Sequence, residues 1–310
     1  MRFSKGVTIW AFTATVLLAI SLAWPDAAGD GLRMLEEAGR ARIVQAQTAD
    51  APSQLEWQGW QFFRLTSPRG KVLLFNPALN DPAAIFRNRE SQLSLENLDV
   101  AHVIMVTAGH VDDQGMAVEI ARKTGAQVVT TFELAQWMVA RGMESGKILR
   151  GGPGSRFEVE GIRIQVVHAV HGSGGPPLPG QPNLAVYGGP ALGFIVTLEN
   201  GVRIYHAGST ALTQDLSLNG RLYKPHVALL PIGSGMYPDE AAMAAEFLMT
   251  DNPNLHSVFP QHHASFMPPT QQGSAFVREV QARRLRRDVT SFDPKPGQVF
   301  LVTANGTRAR

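Results

Sequence analysis

Val103-Ile104-Met105-Val106-Thr107-Ala108-Gly109-His110-Val111-Asp112-Asp113 is the stretch that decides the fold. Its first four residues are continuous and apolar, and with Thr107 they read as a strand buried on both faces. The strand opens straight into a Gly-His pair and two carboxylates, and a helix is expected over 115–124, closed by Gly125 at its C-cap. Polar side chains at the end of a core strand lie where sites are usually built. Three further strands end in the same manner. Residues 161–168 lead to Ala169-Val170-His171, residues 202–206 to Ala207-Gly208-Ser209-Thr210, and residues 256–259 to Pro260-Gln261-His262-His263.

Outward from these, short runs rich in Val, Ile, Phe and Tyr predict strands at 55–65, 71–75, 127–130, 193–198, 226–230 and 298–302. Thr130 with Glu133 reads as a capping box for a second helix that Gly142 closes. Pro238 opens a third, with Asp239 and Glu240 at the positive end of its dipole and Met243 and Phe247 on its buried face. A fourth is expected over 274–287. Strands in clusters, with helices between some of them, predict two packed sheets with helices outside: an α+β, αββα sandwich. Gly172 to Pro190 holds six glycines and five prolines. It is expected to be neither strand nor helix but a long loop covering the site, since it directly follows His171.

The 310 residues include nine histidines and no cysteine. That excludes disulfides, a thiolate nucleophile, zinc fingers and iron–sulfur clusters, so any metal must be held by His, Asp and Glu. A net charge of +2 is too weak to imply nucleic acid. Arg2 and Lys5 precede an uncharged apolar run from Val7 to Trp24. The expectation is a signal peptide over residues 1–28, or an uncleaved membrane anchor, and in either case an exported, periplasmic or extracytoplasmic chain. Residues 29–54 read as a short helix and linker, and 55–310 as the folded domain.

The ordered set of motifs resembles the metallo-β-lactamase superfamily, and within it the L-ascorbate-6-phosphate lactonase-like branch. The pieces are Gly59-Trp60, Asn76-Pro77, Thr107 to Asp113, Ala121-Arg122-Lys123-Thr124-Gly125-Ala126, Gly151-Gly152, His171, Tyr205-His206-Ala207-Gly208-Ser209-Thr210, Pro231-Ile232-Gly233 and Pro260-Gln261-His262, spanning roughly 55–302. The family's centre is dinuclear. Its Thr-His-x-His-x-Asp-His segment, two later His and a bridging Asp hold two metals that activate water and polarise the scissile group.

Carried over position by position, the resemblance implies an altered centre. The first metal keeps His110 and His171 but meets Ala108 where a His is expected; the second keeps Asp112 and His262 with Asp113 in place of a His. Ser209 stands where the bridging Asp should be, and Trp60 and Asn76 also depart from the pattern. Three ligand arrangements follow. Asp112, Asp113 and His262 hold one ion with His110 and His171 beside them; or His110, His171 and Asp113 hold it; or none is held. The cofactor expected is one divalent metal, Zn or Mn, or none. Catalysis is assigned to His110, Asp112 and His171, and substrate contacts to Ser209, Gly172 and Ser173. The implied function is a metal-dependent hydrolase of lactones, esters or phosphoesters, with a mononuclear site and a small-molecule substrate. The membrane would be met only through the N-terminal segment. The alternative is a non-catalytic protein that binds a small ligand on the same fold.

Overall fold

Side chains alternate between the two faces of each strand, and that alternation builds the layers of this molecule. The computed structural model describes residues 33–34, 51–177, 186–285 and 289–310. The chain runs β1 (Ser53–Trp57), β2 (Phe63–Thr66), β3 (Val72–Phe75), β4 (Val103–Met105), α1 (Val111–Gln114), α2 (Ala117–Thr124), β5 (Gln127–Thr130), α3 (Phe132–Ala140) and β6 (Ile148–Arg150). It continues through β7 (Arg156–Val159), β8 (Ile162–His168), β9 (Gly174–Gly175), β10 (Val186–Tyr187), β11 (Leu192–Thr197), β12 (Arg203–His206), α4 (Asp215–Tyr223) and β13 (Val227–Pro231). Then come α5 (Pro238–Leu248), β14 (Ser257–Gln261), α6 (Gly273–Ala282), β15 (Thr290–Ser291), β16 (Val299–Thr303) and β17 (Gly306–Ala309).

One sheet has the order β17-β16-β1-β2-β3-β4-β5-β6 and the other β15-β14-β13-β12-β11-β8-β7. Leu73 and Phe75 face the space between the sheets, where they join Phe63, Val166, Phe194 and Phe259. Val72 and Leu74, one residue out of phase, face the other way and meet Ile120 of α2 and Leu134 and Met138 of α3. On the second sheet Ala228 and Leu230 turn outward onto Ala241, Ala245 and Leu248 of α5 and Phe276 of α6. Each large apolar side chain buried in these layers stabilises the fold by roughly 1.5–3 kcal/mol. The result is the expected helix–sheet–sheet–helix sandwich.

The topology also positions the site. β3 and β4 are parallel, so Asn76 and Thr107 emerge together beyond their C-terminal ends. β12, β13 and β14 are parallel too, which delivers Ser209 and His262 to one edge of the second sheet. Gly208, at φ +68, makes the turn before Ser209; a Cβ there would collide with the Leu192 carbonyl.

Several local expectations are corrected. The cap of α3 is Thr131, which accepts from Leu134 N at 3.0 Å. Thr130 remains in β5, with its hydroxyl donating to Val106 O at 3.3 Å. The inner face of α5 is Ala241, Ala242, Ala244, Ala245 and Leu248, whereas Met243 and Phe247 are only half-buried. α4 lies where no helix is expected. Gly220 is needed inside α4, because a Cβ there would strike the Leu248 carbonyl. The glycine- and proline-rich stretch does form strands. Gly174 and Gly175 of β9 pair antiparallel with Tyr187 and Val186 of β10, a ladder that uses backbone groups alone.

The membrane-anchor and export expectations are corrected as well. Among the described residues no helix is long and apolar enough to cross a membrane. Residues 1–28, on which the signal peptide and the periplasmic location rested, lie outside the described residues.

Candidate metal centre

The inner wall of the site is a buried polar network at the ends of β3 and β4. Asn76 adopts φ +46, a left-handed conformation that Asn tolerates better than most side chains. Its Oδ1 accepts from Thr107 N at 3.0 Å. Its Nδ2 lies 2.9 Å from Gln61 Oε1, 2.7 Å from Thr107 Oγ1 and 3.0 Å from Asp113 Oδ1. Thr107 Oγ1 in turn donates to Asp113 Oδ1 at 2.9 Å. All four residues are buried.

α1 places its two carboxylates differently. Asp113 turns inward onto this network, and Asp112 turns toward the second sheet. Asp112 Oδ2 accepts from Gln61 Nε2 at 3.2 Å and lies 3.2 Å from His262 Nε2. Ser209 Oγ closes the circle, 3.0 Å from His262 Nδ1 and donating to Gln61 Oε1 at 3.1 Å. Behind it His206 is fully buried. Its Nδ1 accepts from Gly208 N, so the proton sits on Nε2 and is donated to Gln61 O at 3.0 Å. Burial pushes His206 down to about 4, which keeps it neutral.

His110, Asp112 and Asp113 each offer a ligand atom, and these atoms lie within 4.8 Å of one another. His110 Nδ1 is 3.5 Å from Asp113 Oδ2. The rings of His110 and His171 meet edge to face, centroids 5.1 Å apart. Asp113 and the two histidines therefore converge, and His262 joins through Asp112. The Asp113 contact holds the His110 imidazole above its ordinary value, against the opposing pull of burial. Burial lowers His171, with Asp113 opposing and His110 and His262 adding to the fall. Burial alone would raise Asp112, but the His262 contact outweighs it and holds that carboxyl low.

The other expected residues sit further out. Ser173 Oγ accepts from Gly109 N at 3.0 Å, which ties the root of the glycine-rich segment to the site. Gly172 lies against the His110 ring; a Cβ there would be 3.6 Å from it. Ala108 offers no ligand and packs with Ala169 and Ala191. Gln61, which donates to Asp112 and accepts from Asn76 and Ser209, escaped sequence reasoning. Its signal is slight: one amide between Trp60 and the apolar pair Phe62-Phe63.

Donor chemistry tests whether one ion fits. Asp113 Oδ2 is buried and has no hydrogen-bond partner, an expensive state for a carboxylate oxygen unless a cation answers it. Two carboxylates and an imidazole within reach of one point suit a single divalent ion.

An αββα sandwich that gathers His and Asp at strand ends is the frame of a metal-dependent hydrolase. The family described as "Beta-lactamase superfamily domain" matches residues 71–286, and the chain belongs to the metallo-β-lactamase superfamily. It is 35% identical over 248 residues to a UPF0173 metal-dependent hydrolase of Rubrobacter xylanophilus, covering 79% of this chain and 95% of that one. It is 33% identical over 263 residues to a UPF0173 metal-dependent hydrolase of Myxococcus xanthus, covering 84% and 88%. The fold is also that of Igni18, a metallo hydrolase from Ignicoccus hospitalis, with TM-score 0.64, 24% identity, and 81% and 98% of the two chains covered.

Proposed function

We propose that this chain is a mononuclear metal-dependent hydrolase of the lactonase-like branch, acting on a small lactone, ester or phosphoester. Residues 55–310 form the working unit in this reading. The observation that carries it is the unanswered Asp113 Oδ2 beside His110 and Asp112. His110, Asp113 and Asp112 would hold one divalent ion, Zn or Mn, with His171 adjacent. Such an ion supplies electrophilic activation of a carbonyl or phosphoryl group.

The chain's own groups carry the proton chemistry. His171 is kept a free base near neutrality by burial, so it accepts a proton from the attacking water. The Asp113 contact favours a proton on His110 in the metal-free chain, and the proton that His171 takes up is the one returned to the leaving oxygen. Asn76 and Thr107 fix one oxygen of Asp113 and leave the other free to point at the site. The substrate-facing role of Ser209, Gly172 and Ser173 belongs to the same proposal.

A second reading, a non-catalytic ligand-binding protein, is favoured by one observation: Asp112, His262, Ser209 and Gln61 already satisfy one another. Elemental analysis of chain purified without affinity metal separates the two. The hydrolase reading expects about one divalent ion per chain, lost in His110→Ala. No stoichiometric metal, and no turnover of a lactone, ester and phosphoester panel after metal addition, would leave the binding reading.

A further inference from the structure

Beside His262 stands an aromatic corner that the polar network does not use. Trp60 is only half-buried, and around it lie Phe86 (centroids 4.9 Å, 88° between planes), Phe266 (5.8 Å, 53°) and His262 (5.7 Å, 57°). Phe266 is 73% exposed. Single exposed aromatics are ordinary, but three that converge on one edge of a polar centre are not.

The backbone holds this corner at a cost. Trp60 and His262 both lie in the left-handed region, at φ +53 and +56, where bulky side chains are rarely found. Each such residue is strained and persists only where its surroundings over-determine it. Here they do. Trp60 N donates to His263 O at 3.1 Å, and Trp60 O accepts from His262 N at 2.8 Å and from Trp57 Nε1 at 2.9 Å. His263 is locked in turn by stacking on Trp57, centroids 4.5 Å apart. The two strained residues are thus one unit, which sets the indole against the imidazole that contacts Asp112.

We infer that Trp60, Phe86 and Phe266 form a subsite for a flat apolar group, an aryl substituent, of the substrate. This rests on the hydrolase reading only for what is done to the ligand, not for its binding. Rings tilted at 53–88° to Trp60 make a corner that grips a flat group by offset and edge contacts. His262 is the next ring after Trp60, and its Nε2 is 3.2 Å from Asp112 Oδ2. An aryl group on Trp60 therefore lies one imidazole away from Asp112, as the aryl end of an ester or lactone held at the carboxylates would.

The test uses the full chain and neutral probes that need no turnover. Phenylacetamide and acetamide are compared by saturation-transfer NMR and calorimetry, with tetramethylammonium as a cationic control. Phenylacetamide is expected to bind where acetamide does not, and to lose about tenfold in affinity in Phe266→Ala and in Trp60→Ala. Phe266 is exposed, so its variant keeps the fold even if Trp60→Ala does not. Equal binding of the two amides, no aryl binding, or undiminished binding in Phe266→Ala overturns the inference. So does preference for tetramethylammonium, which would mark a cation cage, or a chain dimer in sedimentation that Phe266→Ala dissolves. Aryl binding lost in Phe266→Ala, in a chain that holds no metal and turns nothing over, would sustain the subsite and sink the hydrolase reading.

Discussion

The two sides of the centre carry similar residues and treat them oppositely. On the side of the second sheet, Asp112, His262, Ser209, Gln61 and His206 form a closed circuit of contacts between 3.0 and 3.2 Å. On the side of β4, Asp113 is buried with one oxygen doubly engaged and the other without a hydrogen bond, 3.5 Å from His110 Nδ1, and His110 and His171 meet edge to face. Two of the positions where the family's pattern is broken, Ser209 and Asp113, make this difference. A hydroxyl at 209 lets the second-sheet side satisfy itself. A carboxylate at 113 leaves Oδ2 without a hydrogen bond, 3.5 Å from His110 Nδ1. The closed side reads as scaffold and the open side as the place for a cation.

Acid should break the closed side first, and this is the largest effect expected. His206 titrates near 6.5 when unfolded and at about 4 when folded. Between those values the unfolded chain binds more protons, so stability falls as pH drops from 6.5 toward 4 and levels off below. The loss is on the order of 3 kcal/mol for His206. His263, pushed down to about 3 by burial, adds in the same direction. Urea unfolding at pH 7 and pH 4.5 measures it. A His206→Gln variant should flatten the profile; an unchanged slope would remove His206 from the scaffold argument.

The two carboxylates offer the sharper comparison. Asp113→Asn keeps an oxygen for Asn76 and Thr107 while deleting the charge, and metal affinity should fall about 100-fold. Asp112→Asn, whose carboxylate is already engaged by His262 and Gln61, should lose only about tenfold. The metal-free Asp113→Asn chain should melt close to the parent, because the charge it removes meets only a long, part-exposed contact with His110 at 3.5 Å. Equal losses of affinity, or the reverse order, would move the ion to the Asp112–His262 side.

Much of this arrangement is legible in the sequence because it is carried by local signals. The apolar run from Val103 to Thr107 and its abrupt polar end place β4 and the site beyond it. The parallel strands that bring Ser209 and His262 to the same edge are visible as short β-branched runs, each ending in polar residues. Contacts across the chain leave no such trace. Gln61 acts on Asp112 from 51 residues away and on Ser209 from 148, and an amide has no motif of its own. The capping error at Thr130 has a similar origin. Either threonine can cap, and the strand pairing of Thr130 decides which one does. The strain at Trp60, Asn76 and His262 is a property of tertiary bonding, so no propensity announces it.

Ser209 gives the smallest effect and the cleanest discrimination. Its hydroxyl donates to Gln61 Oε1, which also receives Asn76 Nδ2, so Ser209→Ala leaves that oxygen with one donor rather than none. Only His262 Nδ1 loses its contact outright. The expected cost is about 1 kcal/mol, a fall in Tm of roughly 2–4 °C, because the cavity is small and one partner remains for the amide. If the ion sits among His110, Asp113 and Asp112, stoichiometry and affinity should be unchanged, since Ser209 touches none of the three. A loss of metal in Ser209→Ala would mean that the closed circuit positions a ligand after all. That effect would have to pass through His262 or Gln61, because each touches both Ser209 and Asp112.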